Sequence, residues 1–131
     1  MSNKIDKILA EISAGELFDK ITILEIKKTK ISNKEKLIHI NKELSSLNET
    51  VKKFIPDQSS ISKYINDLKN INLKLWDIED GKRDAEKNKN FDEKFIELAR
   101  NVYKFNDERA KIKLAINNSL GSHIKEVKAY E

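Results

Sequence analysis

The chain has no cysteine, which excludes disulfides, zinc–thiolate sites and cysteine nucleophiles. It has one proline and three glycines, so little interrupts regular structure, and no glycine-rich phosphate loop is present. Histidine occurs twice, as His39 and His123. Neither has a nucleophile in evident reach, and the Glu-x-x-His pairs of di-iron bundles are missing, so triad hydrolysis and di-metal chemistry are not expected. No apolar run approaches the ~20 residues of a bilayer-spanning helix. The leading "MSNKIDKILAEIS" is too polar and too acidic for a signal peptide. A cytoplasmic protein without a cofactor, a metal or a membrane partner is the expectation.

What is present is charge and helical periodicity. Of 131 residues, 37% are charged and the net charge is +4. That is the composition of a helical bundle. The basic excess could attract an anion. A nucleic-acid partner is not favoured, because lysines alternate with acids and no aromatic–basic cluster appears.

The chain reads as one domain over residues 1–131. "SAGE" (Ser13 to Glu16) is a capping box, in which Ser13 accepts from the Glu16 amide and Glu16 reaches back. Ile12 and Leu17 sit where a hydrophobic staple belongs. The first main helix then spans about 14–31. "SNKE" (Ser32 to Glu35) repeats the box and starts a helix over 33–54. Its Leu37, Ile40, Leu44, Leu47, Val51 and Phe54 form a heptad seam. Pro56 stops it, and Ser59 or Ser60 caps a third helix over 61–87. "NKNFDE" turns the chain into a fourth helix over 91–118, which "LGS" ends at a glycine. Asn3 to Glu11 add a short helix through Ile5, Ile8 and Leu9, and the tail 119–131 is irregular.

Short connections make antiparallel neighbours. The expected fold is all-α, an up-down bundle of two helical hairpins whose second pair is longer and projects. Phe91 and Phe95 fall on the projecting tip. They either make oligomer contacts or close the tip of their own hairpin.

The informative anomaly lies on the fourth helix. Its stripe of Phe91, Phe95, Leu98, Val102, Phe105, Ile112 and Ile116 has Arg109 at its centre and Lys113 at its edge, flanked by Asn106 and Asn117. A buried charge needs a partner, water or a ligand. Folding the hairpins back brings Asp19 level with Ser45, Ser46, Lys69, Asn70 and Arg109, and sets Glu16, Asn72, Asn106 and Lys113 one turn away. A polar layer of Glu16, Asp19, Asn72, Asn106, Arg109 and Lys113 is expected there, with the first and fourth helices adjacent. A second cluster joins Trp76, Glu79, Asp80 and Arg83 to Arg100 and Tyr103. Trp and Tyr offer stacking faces, and Arg suits phosphate. Glu25 is expected to pair with one of these cations.

The segments "SAGELFDKITILEIKKTKI", "LWDIEDGKRDAE" and "FIELARNVYKFNDERAKIKLAINNSLGS" resemble an uncharacterised family of short, all-helical bacterial and phage proteins. The resemblance spans most of the chain and is weakest over 48–63 and at the extreme N-terminus. The family's pattern includes the positions of Glu16, Asp19, Lys20, Glu25, Trp76, Glu79, Asp80, Arg83, Arg100, Tyr103, Asn106, Asp107, Arg109 and Lys113. Gly81 departs from it, since an apolar residue is usual there, and should loosen the third helix. The resemblance implies no activity.

Three functional expectations follow. The first is a small, oligomeric helical protein that binds an anionic, nucleotide-derived or sugar-phosphate ligand. In it Arg109, Lys113 and Arg100 hold phosphate, Trp76 or Tyr103 stacks, and Asp19, Glu79 or Asn106 bind hydroxyls. A phage sponge for a nucleotide immune signal is its most specific form. The second is a structural module that presents the third and fourth helices to a protein partner. The third is a small enzyme of the chorismate-mutase type, by analogy of inward Arg and Lys alone.

Overall fold

The structure, a computed structural model, describes residues 4–129. It is all-α, with helices α1 (Ala14–Lys30), α2 (Lys34–Phe54), α3 (Ser62–Lys87) and α4 (Glu93–Leu120). The two expected hairpins form, α1 with α2 and α3 with α4. Helices α3 and α4 have 26 and 28 residues, against 17 and 21 for α1 and α2. At 1.5 Å per residue the second hairpin is roughly 40 Å long and α1 roughly 25 Å, so one end of the second hairpin extends past the first.

Helix α1 is the centre of the molecule. It packs against each of the other three, whereas α2 makes no close backbone approach to α3 or α4. The burial pattern of α1 follows from that position. Leu17, Phe18, Ile21, Leu24 and Ile26 are buried, and so are Gly15, Asp19 and Thr22 on another side. A helix covered nearly all round belongs in the interior. Its path runs across the second hairpin. Gly15 and Asp19 meet α4 through Lys113, Asn117 and Arg109, while Thr22 and Glu25 meet α3 through Asn72 and Lys69. The apolar core lies on the remaining side, where Ile40, Leu44 and Val51 of α2 join Leu68, Ile116 and the fully buried Ile61.

Several local expectations need correction. Residues 4–12 do not form the short N-terminal helix placed at 3–11 (Asn3 lies outside the described residues). Ile5, Ile8 and Leu9 have the spacing of a helical face, but nothing covers them, and a helix this short is marginal without packing. Ser32 is not the cap of α2; Asn33 is, accepting from the Lys36 amide. Neither Ser59 nor Ser60 caps α3, which starts after the buried Ile61 without a side-chain cap. There Asp57 accepts from the Ser59 amide and Ile61 donates to the Gln58 carbonyl, so a turn leads the chain into the helix. Asp92 caps α4, and Gly121 ends it with φ +62°, the left-handed conformation a helix stop requires.

Two glycines carry different loads. A Cβ on Gly15 would lie 2.4 Å from the Lys113 carbonyl oxygen, so this residue sets how closely α1 approaches α4. Gly81 lies inside an unbroken α3, where a Cβ would come within 3.1 Å of a Leu98 methyl. Leu98 borders an open cavity of about 230 Å³ into which it can shift. Gly15→Ala is therefore expected to destabilise the fold by about 2 kcal/mol through overpacking against backbone. Gly81→Ala should stabilise it by about 0.5–1 kcal/mol through helix propensity. Urea unfolding of both variants reads the opposite signs.

Candidate functional site

The polar layer forms around a buried carboxylate. Asp19 on α1 is 1% exposed. Arg109 on α4 binds it with two nitrogens: Nε donates to Oδ1 at 2.9 Å, and a terminal nitrogen donates to Oδ2. Asn72 on α3 donates to the same Oδ1 at 3.0 Å and to the Thr22 hydroxyl at 3.0 Å. Thr22 in turn donates to the Asp19 carbonyl. Asn106 lies 3.4 Å from the remaining guanidinium nitrogen. Three helices thus meet on one side chain. Burial pushes the Asp19 carboxyl up, but the hydrogen bonds from Arg109 and Asn72 and the positive charges of Arg109 and Lys113 outweigh it and hold it below the usual carboxylate range. The Arg109 guanidinium is held above its ordinary value, chiefly by the hydrogen bond to Asp19.

Lys113 is one turn further along α4. Its ammonium donates to Glu16 at 2.7 Å and lies 3.9 Å from both Asp19 and Glu126. Glu16 therefore does not close the capping box on Ser13, because its carboxylate is turned to Lys113, with Lys20 3.7 Å away. Only the Ser13 half of the box stands, with the hydroxyl accepting from the Glu16 amide at 3.1 Å.

The tail completes the layer. After Gly121 the chain runs back over the start of α1, and Glu126 accepts from the Ser13 hydroxyl at 2.6 Å and from Asn117 at 3.2 Å. The Asn117 side-chain oxygen accepts from the Gly15 amide, and Ser122 accepts from the Ala14 amide. Two of the unpaired donors at the start of α1 are met in this way by residues more than 100 positions away. Lys128 pairs with Asp107, and His123 with Glu11. Burial raises the Glu126 carboxyl, while the Ser13 and Asn117 donors and the Lys113 charge lower it further than that.

The balance of charge decides what this layer can do. Three cations, Arg109, Lys113 and Lys20, face three carboxylates, Asp19, Glu16 and Glu126. No positive charge is left over for an anion. No buried polar side-chain atom among the described residues lacks a hydrogen-bond partner. Beside the layer runs an open groove of about 470 Å³, lined by Asn106, Arg109, Lys113 and the tail's Glu126, Val127 and Lys128, the last paired with Asp107.

All six layer residues come together as expected, with α1 beside α4. Ser45 and Ser46 do not join them, because α2 lies on the far side of α1 and both serines are exposed. Glu25 pairs with Lys69, not with an arginine. The second cluster stays dispersed. Glu79 pairs with Lys82, Arg83 and Arg100 are exposed, Tyr103 is 56% exposed and Trp76 is half-buried. Phe91 and Phe95 form an edge-to-face pair with centroids 5.1 Å apart inside their own tip, although half of Phe91 remains exposed. Sequence reasoning missed Ser13 as a partner of the tail, Thr22, Ser122, Glu126 and Lys128. No local pattern marks the tail residues: Glu126 and Ser122 reach Ser13 and Ala14 at the other end of the chain, and Lys128 pairs with Asp107 on α4.

A family model described as a family of unknown function (DUF6165) matches residues 8–131. Comparison with curated proteins returns no match, and neither does comparison with solved structures. Among the described residues no helix is long and apolar enough to cross a membrane, and no group of three acidic or histidine side chains is placed to hold a metal ion.

Removing Arg109 leaves the buried Asp19 carboxylate with only Asn72 and, at 3.9 Å, Lys113, so Arg109→Ala is expected to cost about 3 kcal/mol of stability. Asp19 also sets a pH dependence. Its folded pKa lies below the unfolded value of about 3.9, so its contribution is complete above that value and is lost as pH falls through the lower folded one. Asp19→Asn should be less stable at neutral pH and show a flatter acid limb in urea midpoints taken across that window.

Proposed function

The chain belongs to the DUF6165 family, and we propose that it is a structural interaction module that presents its long α3–α4 arm to a protein partner. The observation that carries this reading is the charge balance of the polar layer. Arg109 and Lys113 are engaged by Asp19, Glu16 and Glu126, so the cations brace α1 against the arm and do not await a ligand. The arm beyond α1 bears three uncovered side chains, Phe91, Ile96 and Tyr103 being 49%, 52% and 56% exposed, beside others elsewhere such as Ile38 and Phe54 on α2. Large apolar groups left in water on a projecting element suit a partner surface. A chain without cysteine fits a cytoplasmic setting for such a module.

A second reading rests on the open groove beside Lys113. Its volume suits a small molecule, and an anionic nucleotide-derived or sugar-phosphate ligand could take the place of Glu126 there. A sponge for a nucleotide signal is the specific form of that reading. Thermal denaturation in the presence of cyclic dinucleotides, cyclic ADP-ribose isomers and nucleotide sugars separates the two. The interaction-module reading expects an unchanged midpoint with every compound. A ligand-dependent rise that Lys113→Gln abolishes would replace it with the second reading.

A further inference from the structure

We infer that the partner of the arm is a second copy of this chain, docked antiparallel through the first half of α4. The inference rests on the interaction-module reading and names the occupant of its surface.

The outermost face of α4 carries Glu93, Glu97, Arg100 and Lys104, all exposed. Their spacing of four, three and four residues keeps them on one face at 100° per residue. Among the described residues none of the four takes part in an ion pair. Within the helix they are partly opposed. Glu93 and Glu97 are like charges at i,i+4, and so are Arg100 and Lys104, a spacing at which like charges repel. Of these four the acids come first and the bases second, along a groove that Lys94, Ile96 and Asn101 also line.

A face with this order is complementary to itself only when reversed. An antiparallel copy whose two-fold axis passes between Leu98 and Ala99 sets Glu93 opposite Lys104 of the other copy and Glu97 opposite Arg100. By symmetry, both pairs occur twice. A parallel copy would set acid on acid and base on base. The same two-fold axis keeps Ile96 and Tyr103 of both copies on one side of the seam, where their exposed surfaces meet. The contact is isologous, so it closes as a dimer and does not extend into a fibre. The charges face one another across the seam and set register and orientation, and Ile96 and Tyr103 flank it on one side and add apolar burial. Among the described residues the tail meets α4 only from Asn106 onward, which leaves this face clear of it.

The test uses the full chain and three proteins: wild type, the Glu93→Lys/Glu97→Lys variant and the Arg100→Glu/Lys104→Glu variant. All four positions are exposed, and circular dichroism melts report whether each protein is folded. Sedimentation equilibrium is expected to show a concentration-dependent dimer for wild type. Each variant alone should have half that mass. Their equimolar mixture should recover the dimer. Orientation is read separately by a spin label on the single cysteine of Lys111→Cys, since the chain has none of its own. The antiparallel arrangement separates the two labels by roughly 37 Å along the axis at 1.5 Å per residue, and a parallel one brings them close together. Wild type that stays monomeric, variants that still dimerise, a mixture that does not recover, or a short label distance would each overturn the inference. A monomer whose melting midpoint ignores every ligand above defeats self-pairing and leaves the module reading standing. A ligand response at Lys113 defeats the module reading instead.

Discussion

A carboxylate that is 1% exposed constrains this fold more than any apolar contact does. Asp19 sits where α1 crosses α3 and α4, and an unpaired charge there would not be tolerated. Arg109 must reach it from α4 and Asn72 from α3, which fixes the rotation of all three helices about their axes. Apolar side chains can slide by a turn and still bury area, but a two-nitrogen contact to one carboxylate cannot. The layer therefore supplies register, and the apolar core of α1, α2 and Ile61 supplies most of the favourable burial.

The central position of α1 follows from the same constraint. A helix with acids on one side and Leu17, Phe18, Ile21 and Leu24 on the other keeps little face for solvent beyond Lys20 and its last turn. Its start must approach α4 closely for Asp19 and Glu16 to reach Arg109 and Lys113, and Gly15 permits that approach where any Cβ would strike the Lys113 carbonyl. The closeness creates a second need, because the amides at the start of α1 lose access to water. Asn117 and Ser122 meet two of them, and the Ser13 hydroxyl accepts a third while donating to Glu126. Glycine, layer and tail are three consequences of one buried carboxylate.

Helices and hairpins were legible because they rest on local signals: capping residues, the 3.6-residue period and the breakers Pro56 and Gly121. The members of the polar layer were legible for a related reason, since antiparallel folding converts sequence distance into level. What levels cannot supply is lateral order. Ser45 and Ser46 share the level of Asp19 yet lie on the wrong side of α1, and Glu25 is one helix too far from the arginines. The aromatic–arginine cluster failed similarly. Trp76, Arg83, Arg100 and Tyr103 are close in level, but facing one another would need a third helix to gather them, and α1 does not extend that far. The N-terminal helix was read from spacing alone, without a surface for Ile5, Ile8 and Leu9 to bury against.

Whether an inward cation is a brace or a binding site depends on a sum, and the sum includes groups that sequence proximity hides. With Asp19 and Glu16 alone, the cations Arg109, Lys113 and Lys20 would be left with one charge over. The addition of Glu126 balances the layer. A carboxylate 13 positions beyond Lys113 in sequence, in a segment with no regular structure, changes the electrostatic character of the site. The arm shows the opposite arrangement. On its outer face Glu93 and Glu97 precede Arg100 and Lys104, and these four carry no ion-pair partners among the described residues. Charge that is balanced inside the chain holds the chain together, whereas charge left ordered but unpaired on an exposed helix is available to a second molecule.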